Sequence, residues 1–177
     1  GPNGQVVIDA SGGTLRVKEK SQWLDFPYQT LKLTSSLTPK KVDTTLDFRG
    51  GKLGDLLARL SIDPVAKNKP VNGDFTLTGL DVSVARPFVT MVEKLNGKLN
   101  GSGRISGGLL APQVNGNVVL SDGEVSGPEL PITLEKLNVQ ALIAGENVQL
   151  KGNWRSGAAG QGSISGQIAW ADALNVG

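Results

Sequence analysis

The sequence predicts an all-β fold, an amphipathic and mostly antiparallel sheet with one or two short helices. Two observations carry this. Apolar and polar residues alternate with period two in segment after segment, as a sheet with one apolar and one polar face requires. Glycine is abundant, 24 of 177 residues, about twice the usual share, and it falls inside the alternating segments as well as between them.

Taken in order, Leu31, Leu33 and Leu37 alternate with Lys32, Thr34 and Ser36, and Val42, Thr44, Leu46 and Phe48 with Asp43, Thr45 and Asp47. Phe75 and Leu77 sit between Asp74, Thr76 and Thr78. Farther on come Leu137, Val139, Ala141 and Ile143, then Val148 and Leu150, then Ile164, Gly166, Ile168 and Trp170. Each set reads as a strand. Two segments depart from the pattern. Leu53, Leu56, Leu57 and Leu60 lie at helical spacing ahead of Asp63-Pro64, and Phe88, Met91, Val92 and Leu95 do so after Pro87, a residue suited to a first helical position. Helices this short need the sheet to pack against.

Internal recurrence is weak. An apolar-Asn-Gly unit opens Val71-Asn72-Gly73, Leu95-Asn96-Gly97 and Val114-Asn115-Gly116, and Gly-x-Ile-Ser-Gly occurs at 103–107 and 162–166. Asn-Gly suits a hairpin turn. Yet Val114, Gly116, Val118 and Leu120 hold one parity through the dipeptide, which equally suits a glycine kink inside a strand.

Charge is nearly balanced, 18 Lys+Arg against 16 Asp+Glu, so no broad basic field for nucleic acid exists. Lys40-Lys41 and Lys67-Asn68-Lys69 read as solvated loop tips in preference to phosphate or headgroup contacts. Cysteine and histidine are both absent. That removes disulfides, thiolate nucleophiles, imidazole bases and nearly all zinc or copper sites. No apolar run has the length of a membrane span. Gly1-Pro2 reads as a cleavage scar from an expression tag, and residues 3–177 as a single segment of a longer protein whose anchor lies elsewhere.

Carboxylates are the remaining acid/base candidates. Asp43 and Asp47 share the strand face opposite Leu46 and Phe48, where solvated charge is the ordinary role. Asp122-Gly123-Glu124 has turn chemistry and too few converging oxygens for calcium. No serine has an activating histidine, and the glycine-rich stretches lack a phosphate-binding lysine-serine pair. The chain is expected not to be an enzyme and to use no cofactor or metal. Trp23, Trp154 and Trp170 are dispersed, which suits core or rim positions better than a sugar-stacking platform. What is left is the apolar face. The ordinary destination of such a face is the interior of a sandwich or barrel. Periodicity alone does not say whether protein or ligand fills it.

The stretch from Leu95 to Val125 bears on that choice. It runs through short glycine-broken strands, a turn from Gly108 to Pro112 with Leu110 and Ala111 before the proline, a Val-x-Gly strand at Val114 to Gly116, and Asp122-Gly123. This ordered combination, with Pro70-Val71-Asn72-Gly73 before it and the Trp154 to Trp170 region after it, resembles the AsmA-like/TamB family of inner-membrane-anchored periplasmic proteins.

The resemblance implies a piece from the C-terminal region of such a protein, with its sheet curved into an open apolar groove (a β-taco), polar outside. It implies phospholipid transport from inner to outer membrane, an outer-membrane barrel partner, TamA, and a part in assembling outer-membrane and autotransporter barrels. The groove would be lined by Leu31, Leu33, Leu46, Phe48, Phe75, Leu77, Leu99, Ile105, Val118, Leu120, Val139, Ile143, Val148, Leu150, Ile164 and Ile168, in contact with acyl chains. Gly101, Gly103, Gly116 and Gly166 would let the sheet curl. The rival expectation is a chaperone-like scaffold that holds nascent barrel strands at a sheet edge or in the groove. An extracellular β-solenoid adhesin would show a stricter repeat.

Overall fold

A computed structural model of the chain describes residues 3–169. Gly1-Pro2 and the expected strand position of Trp170 lie outside the described residues.

Among the described residues ten strands form one antiparallel sheet. They are β1 (Gly4–Ser11), β4 (Thr30–Leu37), β5 (Val42–Arg49), β6 (Asp55–Ile62), β7 (Val71–Asp81), β8 (Lys94–Gly108), β9 (Ala111–Ser126), β10 (Leu134–Gly145), β11 (Asn147–Ser156) and β12 (Gly160–Ala169), paired in that order. Apart from the step from β1 to β4, each strand pairs with its successor in the chain. Among the described residues the sheet is open, with β1 and β12 as its two edges. Between β1 and β4 the chain makes a separate two-stranded ribbon, β2 (Thr14–Glu19) with β3 (Gln22–Pro27).

The strand ends define two rims. One, the turn rim, carries the connections at 38–41, 63–70, 109–110 and 146. The other, the loop rim, carries the ribbon, the 50–54 connection, the 82–93 segment and the 127–133 loop.

The two helices expected from leucine and phenylalanine spacing form differently. A 3-10 turn, Gly51–Leu53, precedes Gly54 at φ 77°, and Leu56, Leu57 and Leu60 then belong to β6. A spacing of four satisfies both the strand and the helix period, so Leu56 and Leu60 suit either state. In β6, Leu56 stands between Phe48 and Leu77, while Leu57 turns to the other face, 43% exposed. Cross-strand partners on both sides outweigh local helix preference.

The second helical segment lies earlier than expected. It is a 3-10 helix over Val82–Phe88, started by Asp81, whose carboxylate accepts from the Ser83 N–H at 3.0 Å. Pro87 falls near its end. Met91 is 54% exposed, and Leu95 has already entered β8 opposite Val125. The β-branched Val82 and Val84 and the N–H that proline lacks favour a short, tight turn over an α-helix.

The Asn-Gly units at Asn72-Gly73, Asn96-Gly97 and Asn115-Gly116 lie within strands, in β7, β8 and β9. Asp122-Gly123, expected as a chain-reversing turn, is instead a bulge inside β9. Asp122 has φ 53°, and the register with both β8 and β10 slips there. Such a bulge inserts a residue and bends the strand without ending it.

Candidate functional site: the apolar face

Register builds the face directly, since residues paired across antiparallel strands point to the same side. One row crosses the sheet as Ile8, Leu33, Leu46, Ala58, Phe75, Gly103, Gly116, Ile143, Val148 and Ile168. The next runs Ala10, Leu31, Phe48, Leu56, Leu77, Gly101, Val118, Ala141, Leu150 and Gly166. A third row, Leu80, Leu99, Leu120, Val139, Gly152 and Ile164, covers the later strands toward the loop rim. Ile105, between Gly73 and Val114, lies toward the turn rim. All sixteen residues expected to line the groove therefore lie on one face. Nine inter-strand steps give this face a length of about 43 Å across the strands.

Among the described residues nothing packs over it as a second sheet would. Fourteen of those sixteen side chains are half-buried and none is fully buried. Ile164 and Ile168, on the edge strand β12, are 46% and 41% exposed. Among the described residues only Val71 and Leu137 qualify as a buried apolar core. The shielding that exists comes from neighbours along the face. It is weakest at the edges, where Val6 and Ile8 of β1 are also exposed.

Two glycines on the face, Gly103 and Gly162, sit beneath large side chains. A Cβ on Gly103 would lie 2.8 Å from the Phe75 ring, and one on Gly162 would run into the indole of Trp154, its cross-strand partner. Toward the loop rim, Tyr28 packs on Phe48 with ring centroids 5.6 Å apart.

The opposite face carries the charge. Asp43 accepts from the Ser61 hydroxyl and pairs with Lys41 at 3.5 Å. The Ser61 bond, then Lys41, holds its carboxyl below the ordinary value. Glu124 is lowered by its contact with Lys94, at 2.7 Å. Asp47 pairs with Arg49 at 2.9 Å. These carboxylates are each engaged by a neighbour on a solvated surface, and no three potential metal ligands cluster among the described residues.

Trp23 and Trp154 are not brought together. Trp23 lies on the ribbon beside Arg16 and Lys18, 5.0 and 5.8 Å from its ring, whereas Trp154 is in β11 on the apolar face. Asn138, Asn153, Arg155, Gln161 and Ser163 line a depression of about 630 Å³ near Trp154, but their strand parity puts them on the other side of the sheet from the indole.

Sequence reasoning missed several contributors to the face. Leu56 and Leu60 suit a helix as well as a strand, Ala58 carries no signal of its own, and Val6 and Ile8 flank Val7 in a run with no alternation to betray a strand. The β2–β3 ribbon did carry a signal: Leu15 and Val17 alternate with Arg16 and Lys18.

No helix among the described residues is long and apolar enough to cross a membrane. A family model described as TamB, N-terminal domain, matches residues 1–120. That description lends no support to the expectation of a C-terminal-region piece. No solved structure matches the chain.

Proposed function

The chain belongs to the TamB family, and from that premise we propose that its apolar face is one stretch of a groove that carries phospholipid acyl chains between the inner and outer membranes. The family is that of the translocation and assembly module, periplasmic and inner-membrane-anchored, with TamA as its general partner.

One observation carries the reading: a continuous apolar face of ten strands that no second layer covers among the described residues. Monomeric soluble proteins rarely leave contiguous apolar surface of such extent without a use for it. The walls are mostly Leu, Val and Ile with few aromatics, and the Ser35 and Thr44 hydroxyls toward the turn rim bond to each other at 3.0 Å, which suits an acyl chain and gives little selectivity. At about 43 Å the face exceeds the roughly 15 Å that one leaflet contributes to a bilayer's hydrocarbon core. Transport of this kind needs no bond-breaking chemistry, and we read the chain as a non-enzymatic conduit. In the same reading it serves outer-membrane biogenesis, autotransporter assembly included.

A second reading is favoured by the edges. β12 contains no charged residue and no proline, and β1 has Asp9 as its one charge. Unprotected edges of this sort accept a further strand, so the chain would hold nascent barrel strands as a chaperone-like scaffold. Organic extraction of the purified chain followed by mass spectrometry separates the two. Stoichiometric phospholipid is expected for the conduit. Lipid-free protein that binds extended barrel peptides would replace it with the scaffold.

A further inference from the structure

Two adjacent turns on the turn rim hold apolar side chains out in solvent among lysines. The β8–β9 connection is Leu109-Leu110, with Leu110 99% and Leu109 43% exposed. Beside it, the 63–70 loop carries Val65, 72% exposed, together with Lys67 and Lys69.

The two turns form one unit. The Leu109 N–H donates to the Asn68 and Lys69 carbonyls at 3.2 and 3.0 Å, and Pro70 bridges to Gly108. The longer loop is ordered from within. Its Asp63 carboxylate accepts from the N–H groups of Val65 and Ala66, both at 3.0 Å, and the Lys69 N–H donates to the Ala66 carbonyl at 3.0 Å. The acidic group of this loop is thus turned to its own backbone. Neither Lys67 nor Lys69, nor Lys40 on the same rim, has an ion-pair partner among the described residues. Lys41 pairs with Asp43, and Glu146 lies two hairpin connections along from the Lys67–Lys69 loop.

We propose that this joined pair of turns is a membrane-docking knob. Leu110, Leu109 and Val65 enter the headgroup region of an anionic bilayer, and Lys67, Lys69 and Lys40 face its phosphates. Apolar tips that reach the acyl boundary, ringed by cations, are the pairing that an anionic lipid surface rewards. Leu110 projects from a two-residue turn. A fluid bilayer accommodates such a tip without a matching cavity, whereas a protein partner has to supply a pocket for it. The knob stands at a lip of the apolar face, so docking would set that lip against a membrane. The inference does not depend on lipid passing along the groove.

Co-sedimentation of the 177-residue chain with vesicles of phosphatidylcholine, with and without phosphatidylglycerol, tests it. Binding to the mixed vesicles is expected, weaker binding to phosphatidylcholine alone, and a loss as sodium chloride is raised. Leu110→Ser should lower binding about tenfold. Lys67→Gln with Lys69→Asn should lower it about twenty-five-fold, fivefold for each lysine. Asparagine is chosen at Lys69 because φ there is 43°. All these positions are exposed, so melting should not change. Ile105→Asp, inside the apolar face, should keep vesicle binding while reducing co-purified lipid, which separates the knob from the groove. Equal binding to both vesicle kinds, or variants that bind like the parent, would overturn the proposal. Absence of vesicle binding would also overturn it and assign the knob to a protein partner.

Discussion

Gly103 pairs with Phe75 across β7 and β8, and the Phe75 ring covers the place where a Cβ on Gly103 would stand. The glycine is therefore part of the packing of the face. A Cβ there would also come within 2.8 Å of the Asn115 carbonyl oxygen, a backbone atom that cannot step aside. Gly103→Ala should destabilise the chain by about 1–3 kcal/mol, the usual range for overpacking. Gly166 lies on the same face with nothing within 4 Å of its Cβ position. Gly166→Ala should leave stability unchanged or slightly raised. Urea melts of the two variants check the contrast, and an equal loss in both would mean that the Phe75–Gly103 fit carries no energy.

An open face and a closed core respond differently to a charge. Ile105 is half-buried between Gly73 and Val114. In a closed interior, Ile105→Asp would bury an unpaired carboxylate at a cost of several kcal/mol. On an uncovered face the carboxylate reaches water, so the loss should stay near 1 kcal/mol, the ordinary effect of a point substitution. Acyl chains would meet the charge, and extractable lipid should fall sharply. Ser102→Asp, opposite Thr76 and Asn117 on the polar face, should change neither property. Complete unfolding by Ile105→Asp, repeated in Leu120→Asp, would contradict the uncovered face.

The edges make a third prediction. Ile164 of β12 and Val7 of β1 are 46% and 54% exposed on strands with almost no charge. The chain should self-associate at high concentration by sedimentation velocity, as unprotected edge strands do. Ile164→Lys with Val7→Lys should shift it toward monomer. A double variant that associates as strongly as the parent would place the contact elsewhere.

Legibility of the fold followed how each segment meets its neighbours. Strands such as β5 and β11, whose apolar positions alternate cleanly, were readable because period two is both their local pattern and their packing. β6 was not, because Leu56 and Leu60 satisfy two periods, and the neighbours that decide, Phe48 and Leu77, are distant in sequence. The Asp122 bulge was unreadable for a related reason. Asp-Gly has the same local chemistry in a turn and in a bulge, and only pairing with β8 and β10 distinguishes them. Within the strands that alternate cleanly, which side chains share the apolar face was legible from parity. That the face lies uncovered was not, since cover is a property of layers and leaves no mark on the period of one strand.

Acid should act through Asp81 at the loop rim. Its carboxylate accepts from the Ser83 N–H at 3.0 Å and faces Lys98 at 3.6 Å. Bonds to Ser83, with the charges of Lys98 and Lys52, hold its pKa below the ordinary aspartate value. A carboxyl whose pKa is lower folded than unfolded binds more protons when unfolded. Its stabilising contribution is thus complete above the ordinary aspartate pKa and is lost as pH falls through the lowered value. Stability should decline below about pH 4, the unfolded aspartate range. Asp81→Asn keeps a side-chain oxygen for the Ser83 N–H but cannot titrate. The variant should be slightly less stable than the parent at neutral pH, through the loss of Lys98, and should lose less on acidification. Urea midpoints measured from pH 6 to pH 2 compare the two slopes. Parallel curves would show that Asp81 contributes nothing to the acid response, leaving Asp43 and Glu124, which are lowered in the same direction, to account for it.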